Sequence, residues 1–168
     1  MKILMTILLG LALVGCATQR GFPARNQINN FSQLDRRISR GAQPPYSAFE
    51  DLAAMGIKTV VNLRQPGDGL PDEERYVTAA GMKYLPLPMS GTCAPTVEQL
   101  HEILREIASA PYPVFIHCQF GCDRTGLVCG GWRIIYDYWD GETALKEAVA
   151  FGMSDLLPNF RHRLKTFK

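Results

Sequence analysis

Residues 114–126 read V-F-I-H-C-Q-F-G-C-D-R-T-G, and this stretch constrains the chain more than any other. A β-branched and aromatic run, Val114-Phe115-Ile116, stops at His117 and Cys118; Arg124 and Thr125 follow shortly, and a helical pattern begins. The order is therefore strand, loop, helix. Backbone N–H groups of a tight loop that opens a helix converge on one point, and the helix dipole adds positive potential there. Such a loop suits a tetrahedral oxyanion. The same field favours the thiolate of a cysteine at the loop's mouth, which makes Cys118 a candidate nucleophile. Arg124 closes the other end with a planar guanidinium able to grip two phosphate oxygens at once.

The rest of the chain reads as scaffold, entrance or anchor for that loop. A length of 168 residues suits one domain, and 46% apolar with 20% charged residues is an ordinary globular composition. A formal net charge of +2 is too small to argue for a nucleic-acid partner. No CxxC pair, zinc spacing or GxGxxG fingerprint appears, so neither a metal nor a cofactor is expected. Gly130-Gly131, inside a helical pattern, reads as permission for close packing.

Taken in order, the chain starts with Met1-Lys2 and an apolar run of about a dozen residues, short for a membrane span and suited to a secretory leader. Residues 17–30 are polar, without apolar period, and read as a tether. Residues 34–39 suggest a short strand, and 40–45 a turn ahead of Pro44-Pro45. A helix over 46–55 stops at Gly56, and a β-branched strand follows over 57–63. Residues 65–70 form a loop. The acidic start of the next helix, Asp72-Glu73-Glu74, is explained by its dipole. Residues 82–87 form a strand whose prolines suggest an edge or an early exit, and Thr96 with Gln99 makes a capping box for an amphipathic helix to about Ser109. His101 on that helix reads as a surface residue. Residues 127–139 are apolar nearly all round, as befits a buried helix behind the loop, and helices over 142–151 and 158–168 complete the chain. The alternation implies an α/β three-layer sandwich around a mostly parallel sheet of four or five strands.

The spacing C-x5-R-[ST], with His117 before it and Gly121 and Gly126 in and after it, resembles the signature of cysteine-dependent phosphatases of the protein-tyrosine and dual-specificity superfamily. The resemblance covers roughly residues 31–168. It implies a dual-specificity-phosphatase-like fold and hydrolysis of phosphate monoesters through a phosphocysteine on Cys118, with no cofactor. In that chemistry Arg124 and the backbone of residues 119–124 hold the transferring group, Thr125 donates to the thiolate, and His117 orients the loop and supports the low cysteine pKa. Gln119, Phe120, Gly121 and Cys122 become substrate-binding loop positions. Bacterial members carry an R-[SG]-x-Q-P segment beside the cleft, which adds Arg40 and Gln43 as substrate-contact candidates. A phosphorylated protein or small molecule is the implied partner, phosphotyrosine or dual-specificity substrates first. The rival functions are a phosphate-binding pseudophosphatase and a rhodanese-like sulfurtransferase.

One departure matters. Many members place a general-acid Asp on a loop about thirty residues before the Cys, but residues 86–97 hold no carboxylate. Asp123 is the first replacement, as in myotubularin-like D-R-T loops, with Asp68, Asp72, Glu73 and Glu74 in reserve. Leu13-Val14-Gly15-Cys16 resembles the lipobox of bacterial lipoproteins. That resemblance makes residues 1–15 a signal peptide and Cys16 a lipidated first residue, with residues 16–30 as tether and 31–168 as phosphatase domain. It implies an exported protein anchored to a membrane, the outer membrane facing the periplasm being favoured. In an oxidising compartment a bridge from Cys93 to Cys122 or Cys118 stands beside the alternative that all of them are thiols.

Overall fold

The computed structural model describes Gly21 and residues 25–168. The leader and Cys16 lie outside the described residues. Five strands, β1 (Ser32–Gln33), β2 (Ile38–Gly41), β3 (Thr59–Asn62), β4 (Lys83–Pro86) and β5 (Val114–His117), form one sheet in the order β1-β2-β5-β3-β4. Only the β1–β2 pair is antiparallel. The register places Gly41, His117 and Asn62 side by side, so the three inner strands end at one level. Crevices at the carboxyl ends of such strands are where α/β folds bind ligands.

Among the described residues six helices cover the sheet: α1 (Ala48–Ala54), α2 (Glu73–Ala79), α3 (Val97–Ala108), α4 (Asp123–Tyr136), α5 (Gly141–Ala150) and α6 (Pro158–Thr166). Strand alternation divides the core in two. Val114 and Ile116 of β5 join α3–α6 on one face, and Phe115 joins α1 and α2 on the other. The next step of that alternation turns His117 toward α2, its ring 5.9 Å from that of Phe115, and Cys118 toward α4. Helix α4 is buried over Arg124–Trp132. Gly130 lets Leu164 of α6 approach so closely that an added Cβ would lie 2.7 Å from Leu164 Cδ1. The capping box is formed, with Gln99 N donating to Thr96 Oγ1 and Thr96 N to Gln99 Oε1.

Two boundaries differ from the sequence reading. Of the strand expected over 34–39, only Ile38 and Ser39 are strand; residues 34–37 turn between β1 and β2, where Asp35 Oδ1 accepts from Arg37 N (2.6 Å) and Ile38 N (2.8 Å). Strand β2 then continues through Arg40 and Gly41, since a proline restricts only the residue directly before it, here Gln43. Residues 25–30 are not tether. Arg25 and Ile28 exchange backbone hydrogen bonds, Ile28 is fully buried, and Asn29 O accepts from Ala42 N at 2.8 Å. This irregular segment uses positive φ at Asn26, Gln27 and Asn30, which leaves no periodicity to read.

Candidate active site

The loop between β5 and α4 runs from Cys118 to Cys122 and has three successive carbonyls engaged, the first and third of them from outside the loop. Gln119 O accepts from Gln43 N (3.2 Å), and Phe120 O from Cys122 Sγ (3.3 Å). Gly121 O accepts from both Arg40 Nη2 (2.6 Å) and Asn30 Nδ2 (3.0 Å). In trans peptides the N–H points opposite to the preceding C=O. The N–H groups of Phe120, Gly121 and Cys122 are therefore turned away from these donors. Gly121 has φ +68, and an added Cβ would meet Gly41 C at 2.5 Å and Ala42 N at 2.6 Å. Only glycine allows both that conformation and that approach.

The cleft itself, about 230 Å³, is lined by Asp68, Gly91, Thr92, Cys118, Gln119, Phe120, Asp123 and Arg124. Nucleophile candidate and guanidinium thus face one space. Arg124 is nearly buried, its Nη1 3.5 Å from Leu63 O and 3.4 Å from Met89 O, which fixes it between the ends of β3 and the loop after β4. Asp68 Oδ2 lies 3.7 Å from the same nitrogen, with its side chain half exposed at the rim. Phe120 is 56% exposed at the mouth.

Several candidates take other places than the sequence suggested. Arg40 is fully buried, its guanidinium 3.9 Å from the Phe151 ring, so it braces the loop from behind and has no access to a substrate. Gln43 acts through its backbone on Gln119 and through Oε1 on Arg64 Nη1 (3.2 Å). Thr125 is fully buried and its Oγ makes no hydrogen bond among the described residues, so no bond to Cys118 is present. Asp123 lines the cleft and also accepts from Ser154 N at 2.7 Å, tying the α5–α6 loop to the start of α4. Cys122 is buried under the loop, within 3.5 Å of Asn30 Nδ2. Cys93 is exposed in a different cleft beside α3, and Cys93, Cys118, Cys122 and Cys129 form no disulfide with one another. Burial pushes the Cys129 thiol up to about 11, as suits a core residue. His101 meets Phe167 and Lys168 O at the surface.

Two residues escaped the sequence reading. Asn30 was assigned to the tether, yet it is fully buried and also donates to Phe151 O (2.9 Å). Glu73 is explained in the sequence by the helix dipole and held in reserve as an acid, yet only 3% of it is exposed and it is not among the cleft-lining residues. Its Oε1 lies 2.8 Å from His117 Nε2, and its Oε2 accepts from Asn62 Nδ2 at 2.9 Å.

A parallel sheet whose central strand delivers a cysteine into an anion-binding loop, closed by an arginine of the following helix, defines the class of cysteine-loop phosphatase domains. The profile of the Tc-R-P family, described as the DSP-PTPase phosphatase of polymorphic toxin systems, matches residues 23–137, and the chain belongs to that family. The dual specificity protein phosphatase TpbA of Pseudomonas aeruginosa is 29% identical over 128 residues, 75% of this chain and 56% of that protein. The chain thus spans little more than half the length of that relative. The crystal structure of P. aeruginosa TpbA in complex with pTyr has a TM-score of 0.73 at 23% identity, covering 90% of this chain and 92% of that one. Tk-PTP in its active form has a TM-score of 0.69 at 26% identity, covering 80% and 95%. The likeness extends to the five-stranded, mostly parallel sheet and its flanking helices.

Proposed function

We propose that the chain hydrolyses phosphate monoesters in two steps through a phosphocysteine on Cys118. The observation that carries this reading is that Cys118 and Arg124 line one cleft at the mouth of a loop whose carbonyls are tied back on the other side. Cys118 Sγ attacks phosphorus as the ester oxygen leaves and takes a proton; water then cleaves the S–P bond, releasing inorganic phosphate. Arg124 and the loop N–H groups hold the equatorial oxygens throughout, where charge stabilisation supplies most of the rate. Thr125, with its hydroxyl uncommitted, is the available donor to the departing thiolate. The leaving oxygen needs an acid, and Asp68 and Asp123 are the two carboxylates lining the cleft. Asp68 is the better placed, at the rim and half exposed, whereas Asp123 carries the Ser154 bond.

The substrate class we favour is a phosphotyrosine or dual-specificity phosphoprotein, or a singly phosphorylated small molecule. The loop holds no lysine for a second phosphate, Phe120 offers an exposed ring at the mouth, and the similar TpbA structure contains pTyr. Release of phosphate from para-nitrophenyl phosphate by the reduced protein, abolished in Cys118→Ser, is the expected result. No turnover by the reduced protein would leave a phosphate-binding module. On the separate resemblance of Leu13-Val14-Gly15-Cys16 to a lipobox, we propose that Cys16 is lipidated and anchors an exported domain that faces the periplasm. Incorporation of labelled fatty acid that persists in Cys16→Ser would refute that anchor.

A further inference from the structure

Behind the loop lies a buried acid that the proposed chemistry does not use. Glu73, at the start of α2, is screened from solvent together with His117. The imidazole has an oxygen at each nitrogen: Glu73 Oε1 at 2.8 Å from Nε2, and Cys118 O at 3.4 Å from Nδ1. A carbonyl only accepts, and an ionised carboxylate only accepts. The carbonyl therefore takes the Nδ1 proton, and with Glu73 ionised its Oε1, close to Nε2 though outside hydrogen-bond alignment, favours a second proton on the ring. The carboxylate is held in turn, since Asn62 Nδ2 donates to Glu73 Oε2 and is itself 3.0 Å from Tyr84 Oη. The chain of contacts runs from β4 through β3 and α2 to the residue immediately before the nucleophile.

We infer that Glu73 is a positioning residue that keeps His117 as an imidazolium and through it holds Cys118 as a thiolate. An isolated cation in this place would be costly, because no water reaches it; a carboxylate partner offsets that cost. The positive ring, adjacent in sequence to Cys118, then favours the ionised sulfur as an adjacent His+ does in general. Few other titratable groups approach the ring. Cys118 follows it in the chain. Tyr84 from β4 touches the network through Asn62, and burial, opposed by the Asn62 hydrogen bond, raises its hydroxyl above the ordinary range, with the charges of Glu73 and Glu74 adding to the rise. On the β2 side the register partner is Gly41, which carries no charge.

The inference rests on Cys118 being the nucleophile proposed above, but its test reads the thiolate without turnover, so the two fail separately. The rate of Cys118 alkylation by iodoacetamide is measured against pH in a Cys93→Ser background, because Cys93 is an exposed thiol that would also react. With Glu73→Gln, which keeps the shape and a hydrogen-bonding oxygen, the profile should move to higher pH. Alkylation at pH 6 should drop about tenfold or more, with recovery above pH 9. A uniform loss at every pH, or none, would mean that Glu73 is only structural and would overturn the inference. Should Glu73→Gln fail to fold, the unaltered protein answers directly. Its three histidines allow the His117 ring nitrogens to be assigned by 15N NMR. Two protonated nitrogens at pH 7 support the pair, and a neutral ring refutes it.

Discussion

Replacing Gly121 by alanine tests the claim that the loop is shaped from outside. Two costs arise at once. A non-glycine residue at φ +68 carries about 1–2 kcal/mol of backbone strain. The new Cβ would also stand 2.5–2.6 Å from three backbone atoms of Gly41 and Ala42, which cannot rotate aside as a side chain can. The loop must then retreat from β2 by about 1 Å to reach ordinary contact, stretching the Arg40 and Asn30 bonds to Gly121 O. A buried bond from a charged donor contributes about 1.5–3 kcal/mol and a neutral one about 0.5–1.5. Partial loss of both, added to the strain, gives about 3–5 kcal/mol, a large part of the stability of a domain this size. At about 2–4 °C per kcal/mol, Tm should fall by about 6–20 °C. The displaced N–H groups should lower kcat/KM for para-nitrophenyl phosphate about a hundredfold, measured well below the new Tm. Urea unfolding within about 1 kcal/mol of the parent, with activity retained, would show that the β2 contact does not shape the loop.

Two other predictions address the acid and the core. Asp68→Asn should slow hydrolysis of phenyl phosphate by about 100-fold or more, yet slow an aryl phosphate with an acidic phenol far less, while Asp123→Asn should slow both alike; the reverse pattern would transfer the acid role to Asp123. Cys129, raised by burial from about 9 to about 11, keeps its proton in the folded state while the unfolded chain loses it. Between those two pH values the unfolded state binds fewer protons, so stability falls as pH rises, by about 2–3 kcal/mol in all. Chemical denaturation at pH 8 and pH 10.5 should therefore show Cys129→Ala losing less than the parent over this interval, and equal losses would remove Cys129 as the cause.

The strand–loop–helix core was legible because each part carries a local signal. Val114-Phe115-Ile116 fits only a buried strand, Gly121 and the x5 spacing fit a tight loop, and the apolar run after Arg124 fits a helix enclosed on all sides. Edge strand β4 and the α3 capping box were likewise local. What escaped were contacts between segments far apart in the chain. Asn30 sits in a polar, aperiodic stretch, and only the fold brings it to Gly121 O, 91 positions away. Glu73 shares its sequence context with Asp72 and Glu74, and all three suit a helix start equally. Strand alternation after Phe115 does foretell that His117 faces away from α4. It does not foretell which residue waits on that side.

The distribution of charge around the loop has its own logic. The loop itself carries no cationic side chain, so the field proposed to hold a phosphate comes from N–H groups, the Arg124 guanidinium and the start of α4. Arg40 adds charge on the far side, where it is spent on the Gly121 carbonyl, and His117 with Glu73 forms a pair of small net charge. Such a site stabilises one dianionic group well and gains little from a second. A loop carrying lysines would reverse that preference by attracting every further phosphate on the ligand. The proposed preference for singly phosphorylated substrates therefore rests on what surrounds the nucleophile as much as on the nucleophile. The exposed Phe120 ring then adds apolar contact for whatever group bears the phosphate.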